Sequence, residues 1–81
     1  MAVIFKIADG ATPETVRAIL DRLAAAGLPA APLYPGASRP ALTRVHVVRA
    51  AAATVDRVEA ALAPHRRSID YVEPSPDRRP A

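Results

Sequence analysis

Two histidines, His46 and His65, and three of the eight acids, Asp9, Asp70 and Glu73 at predicted element ends, are the first candidates to catalyse a reaction or hold a metal. Acid–base or metal chemistry needs such groups to converge, as a nucleophile beside its base or as several ligands at fixed spacing. His46 and His65 fall in different predicted elements, and neither has a carboxylate at ligand spacing. Asp9, Asp70 and Glu73 stand at the ends of predicted elements with no base or nucleophile near them, so they read as turn and rim residues. With no cysteine, disulfides and thiolate metal sites are excluded. The expectation is a protein that is not an enzyme and uses no metal and no cofactor.

The stretch with most to say is the last one. Ile69-Asp70-Tyr71-Val72-Glu73 alternates apolar and polar side chains around a β-branched and aromatic centre, which predicts a strand. Ser75-Pro76-Asp77-Arg78-Arg79-Pro80-Ala81 follows Pro74 with no large apolar residue. Its prolines exclude helix and the middle of a sheet. The sequence therefore predicts a domain over 1–74 and an extended tail over 75–81. Such a tail is either a frayed terminus or a stiff peptide held out for a partner.

The elements before it fix how that tail is carried. Ala2–Ala8 predicts a strand with Val3, Phe5 and Ile7 on one face and Ile4 and Lys6 on the other. Asp9-Gly10-Ala11 is a turn. Thr12, Pro13 and Glu14 open a helix as N-cap, first helical residue and an acid at the positive helix end. Val16, Ile19, Leu20 and Leu23 form its apolar stripe, and Gly27 ends it. Pro29, Pro32, Pro35 and Pro40 confine any strand in Leu28–Pro40 to a short edge strand, with Leu33 and Tyr34 its best residues. Thr43–Arg49 predicts a third strand, with Val45 and Val47 pointing one way and Arg44, His46 and Val48 the other, as a basic outer face. Ala51–Ala63 predicts the second helix, with Thr54 as an alternative N-cap and Pro64 just past its end. The order β-α-β-β-α-β predicts an α+β, ferredoxin-like fold: a four-stranded antiparallel sheet in the order 4-1-3-2 with two helices on one face. The final strand lies at one rim, and the other face of the sheet is open.

Composition narrows the function classes. Half of the 81 residues are apolar, but nineteen are alanine and only Phe5, Tyr34 and Tyr71 are aromatic, so the core is small. Ten arginines and one lysine against eight acids give a net charge of +3, but the basic residues are scattered. The only adjacent pairs are Arg66-Arg67 and Arg78-Arg79. Nucleic-acid binding needs a clustered basic patch, and base stacking on a sheet needs exposed aromatic residues on central strands, so nucleic acid is not the expected partner. No basic segment precedes a long apolar run, so neither signal peptide nor membrane span is expected and the predicted location is cytoplasmic.

Val3-Ile4-Phe5-Lys6, then Gly10-Ala11-Thr12-Pro13-Glu14-Thr15-Val16 with an alanine-rich helix closing at Gly27, and finally Ile69-Asp70-Tyr71-Val72-Glu73-Pro74, together resemble the propeptide-like inhibitors of subtilisin-type serine proteases. The resemblance covers both pro-domains and stand-alone inhibitors. It implies that the open sheet face, with Ile4, Lys6, Arg44, His46 and Val48, packs on surface helices of the protease. It implies that Glu73 caps the N-terminus of such a helix, with Ser75 standing where a second acid is usual and Asp77 as a substitute further along. It implies that Arg78, Arg79, Pro80 and Ala81 lie in the substrate cleft as a product mimic, with Ala81 at the product-side end. Arg78 departs from the apolar residue common at its place, which implies an acidic subsite or a different register. The expected function is thus an inhibitor, or intramolecular-chaperone-like partner, of a subtilisin-like serine protease, monomeric alone or 1:1 with its target. The alternative is a ferredoxin-like regulatory or oligomerisation module that binds a protein through the open sheet face.

Overall fold

In a computed structural model of the chain, the structure describes residues 2–34, 36, 43–51 and 53–74. Among them the order is β1 (Val3–Ile7), α1 (Pro13–Ala25), β2 (Ala30–Pro32), β3 (Val45–Val48), α2 (Val55–Leu62), a 3-10 segment (Ala63–Ser68) and β4 (Ile69–Pro74). The strands form one sheet in the order β2-β3-β1-β4, which from the other edge is the expected 4-1-3-2, and every neighbouring pair is antiparallel. The fold is α+β and ferredoxin-like.

Helix α1 has the boundaries its punctuation dictates. Thr12 is extended and its Oγ1 accepts a hydrogen bond from the Thr15 amide at 3.1 Å, while Pro13 occupies the first turn, where no helical partner for an N–H exists. At the other end Gly27 has φ +78°, and the Gly27 and Leu28 amides donate to the Ala24 and Leu23 carbonyls at 3.0 and 2.8 Å. This is a Schellman closure, and it returns Leu28 to the core beside Leu23. Helix α2 begins later than the alanine run predicts. Thr54 Oγ1 accepts from the Arg57 amide at 3.1 Å, so the cap, and not alanine's helix propensity, sets the start. Arg22 ties the helices together by donating from Nε to the Ala61 carbonyl in the last turn of α2, at 2.7 Å.

Both helices cover the same face of β1. Val3, Phe5 and Ile7 are sealed against Ile19 and Leu23 of α1 and Val58, Ala61 and Leu62 of α2. Strand β2 sits at 30–32, slightly before Leu33 and Tyr34. It is an edge strand, so the missing N–H of Pro32 breaks no ladder between two neighbours. Leu33 still donates to the Val45 carbonyl at 3.0 Å, and Tyr34 is exposed.

Strand β4 carries an irregularity that alternation alone conceals. Ile7 pairs with Ile69, but Lys6 pairs with Tyr71, leaving Asp70 as an extra residue between them. This is a β-bulge. It lets Ile69 and Val72 both face the helices, opposite Ile7 and Phe5, although they are three positions apart.

Candidate protein interface on the outer sheet face

Directly paired residues of neighbouring strands share a face, so the register assigns every strand residue. On the helix side, Val3 pairs with Val48 and Pro74, and Phe5 with His46 and Val72. The outer face holds two rows: Ala31, Val47, Ile4 and Glu73, then Val45, Lys6 and Tyr71.

This corrects part of the expected contact surface. Ile4 and Lys6 lie on the outer face as predicted. His46 and Val48 do not: they point into the helix layer, and Val45 and Val47 take the outer positions. Arg44, just before β3, is also turned inward, where its Nη1 donates to the Ala8 and Ala11 carbonyls at 3.1 and 3.4 Å and fastens the turn before α1. The expected basic outer face is therefore apolar on β3. All four residues of β3 are buried, so its pattern carries no exposed member to reveal the facing. His46 can be inside because its ring stacks on Phe5 (centroids 5.5 Å apart, planes at 15°) and its Nδ1 meets the Arg44 carbonyl at 3.2 Å. Burial pushes its pKa below the ordinary 6.5, against a smaller upward effect of that carbonyl, so the ring is neutral at pH 7.

Accessibility across the outer face is uneven. The expectation of an open outer face fails over β3, where the outward Val45 and Val47 are buried although neither belongs to the helix-side core. Ile4 is half-buried, whereas Tyr71 is 38% exposed and Glu73 is exposed. Apart from the small Ala31, exposed at the β2 edge, the reachable part is thus the β1–β4 half, next to the β4 edge. Lys6 presents no free cation there. Its Nζ donates to Asp70 Oδ2 at 2.6 Å and Asp9 Oδ1 at 3.2 Å. The Asp70 bond, opposed by desolvation and aided by Asp9, raises its pKa above 10.5. Lys6 therefore holds the bulge and the turn after β1 together.

Of the predicted helix-capping residues, Glu73 stands at the end of this face, opposite Ile4. Ser75 and Asp77, and the tail residues Arg78, Arg79, Pro80 and Ala81, lie outside the described residues. Tyr71 is the surface residue that sequence reasoning left out of the contact set. Its signal was an aromatic ring in an edge strand, a position where a large apolar side chain has nothing of its own sheet to cover it. Among the described residues no group of three or more His, Cys, Asp and Glu side chains is placed to hold a metal ion, and no helix is long and apolar enough to cross a membrane.

Comparison with protein-family models, with curated proteins and with solved structures found no match to this chain.

Proposed function

We propose that the chain inhibits a subtilisin-like serine protease, with the β1–β4 half of its outer face seated on the enzyme and the segment after β4 laid in the substrate cleft. The observation that carries this reading is the edge position of β4, with Tyr71 and Glu73 exposed on the outer face beside it. A partner that covers this face also meets the end of β4 at Pro74. Tyr71 and Ile4 supply apolar area for the contact. The Glu73 carboxylate suits the N-terminus of a partner helix, where backbone N–H groups and the helix dipole attract an anion. Residues 75–81 contain Pro76 and Pro80, which favour an extended conformation and so reduce the entropy lost when the segment adds as a strand to the cleft.

The test is inhibition of a panel of subtilisin-type proteases by the full chain and by a form lacking Arg78–Ala81. The reading predicts inhibition of at least one enzyme and its loss on truncation. No inhibition anywhere, or inhibition indifferent to the truncation, refutes it. A concentration-dependent dimer equally indifferent to truncation would instead support the oligomerisation module.

A further inference from the structure

The helix side of the sheet holds a second feature, remote from the outer face. A groove of about 520 Å³ lies between α1 and the start of β3, within the size range of small-molecule sites. Its apolar wall is Ile7, Val16 and Leu20. Ile7 is wholly buried, and the other two are partly buried against the core.

His46 also lines this groove, with only 5% of its surface exposed. A carbonyl oxygen only accepts hydrogen bonds, so Nδ1 carries the proton of the neutral ring and donates it to Arg44. Nε2 is left with a lone pair and has no hydrogen-bond partner among the described residues. No side-chain polar atom among them is both sealed and unpaired, so Nε2 is reachable from the groove. An acceptor nine-tenths buried and lacking a donor is a position for a ligand O–H or N–H.

The surrounding charge selects the rest of the ligand. Among the described lining residues, Arg17 and Arg44 stand against one acid, Asp21, and Ala11 and Pro13 bring in the positive end of the 13-residue helix α1. Arg44 uses Nη1 on the Ala8 and Ala11 carbonyls, and a guanidinium has further N–H groups to give.

We propose that this groove binds a small organic acid with a compact apolar body, one carboxylate and one O–H or N–H donor. The body lies on Val16, Leu20 and Ile7, the donor meets His46 Nε2, and the carboxylate faces Arg17, Arg44 and the start of α1. This site is independent of the protease reading and survives its failure.

The test is a titration of the full chain at neutral pH, followed by backbone amide NMR shifts. Three probes are used: para-hydroxyphenylacetate, phenylacetate, which lacks the donor, and para-cresol, which lacks the carboxylate. The first should shift the amides of Val16, Leu20, Arg44 and His46 saturably. Each of the others should bind about tenfold more weakly, the usual effect of leaving one buried polar group unmatched. Val16→Trp, which fills the groove, should abolish the shifts. Should that variant unfold, Arg17→Glu at an exposed position serves instead, and it should weaken both acids and leave para-cresol unchanged. The proposal is overturned if no probe gives saturable shifts, if the shifts fall outside the groove, if phenylacetate matches para-hydroxyphenylacetate, or if neither substitution alters binding.

Discussion

Acid should weaken this fold through one side chain, His46. The neutral ring is buried against Phe5, and burial holds its pKa below 6.5. As pH falls through 6.5 the unfolded chain takes up the proton first, so the unfolded state gains. The stability held by the neutral ring is complete above pH 6.5 and is lost as pH falls from there to the lower folded pKa. One such proton sets a limiting slope of about 1.4 kcal/mol per pH unit. A domain of this length has a stability of roughly 4–12 kcal/mol, so one unit of pH removes a sizeable fraction. With a urea m-value of about 1 kcal/mol/M, the unfolding midpoint should fall by about 1.4 M per pH unit at the limit. The assay is urea denaturation between about pH 5 and pH 8, on the wild type and on His46→Phe, which keeps an aromatic ring against Phe5 and removes the titration. The difference between the two should be flat above pH 6.5 and slope below it. Parallel profiles over the whole range would refute the argument.

Other perturbations follow from the local geometry. Gly27→Ala meets no neighbouring atom but puts a Cβ on a residue at φ +78°, so it should destabilise by about 1–2 kcal/mol and lower Tm by roughly 4–15 °C, whereas Gly10→Ala, also without a close neighbour and not at positive φ, should be near neutral by calorimetry. Thr54→Ala removes the acceptor for the Arg57 amide and should cost about 1 kcal/mol in chemical denaturation. Lys6→Met should cost about 0.5–1 kcal/mol, less at high salt, because its acid partners Asp70 and Asp9 are substantially exposed. The contribution of Lys6 is present below pH 10.5 and fades as pH rises through its raised folded pKa, which alkaline denaturation of wild type against Lys6→Met would show.

The parts of the fold legible in the sequence are those with local punctuation. Thr12-Pro13-Glu14 and Gly27 bracket α1 because caps and positive-φ positions have strong residue preferences. Strand order followed from element order and from prolines that only an edge tolerates. Facing was harder. In β3 the alternation rule assigned Arg44 and His46 outward by polarity, but stacking on Phe5 and bonds to backbone carbonyls outweigh that preference. In β4 strict alternation puts Ile69 and Tyr71 on one face, and the Asp70 bulge separates them. Such a bulge depends on pairing with a strand more than sixty residues away, so no local pattern announces it. The candidate interface was legible in Ile4 and Lys6, where alternation in β1 was clean; Glu73 entered it only through the family resemblance, since strict alternation places Glu73 on the face of Ile69 and the bulge turns it outward. Tyr71, Val45 and Val47 were missed because their facing depends on those two tertiary effects.

The claim at the centre is that a protease seats itself on the β1–β4 half of the outer face. Amide NMR mapping of the full chain against a subtilisin-type protease with its nucleophilic serine replaced by alanine tests it most directly. The account predicts perturbations concentrated at Ile4, Tyr71, Glu73 and the non-proline residues of 75–81, with the outward surfaces of α1 and α2 unaffected. Perturbations centred on the helices, or no binding to any such enzyme, would contradict it.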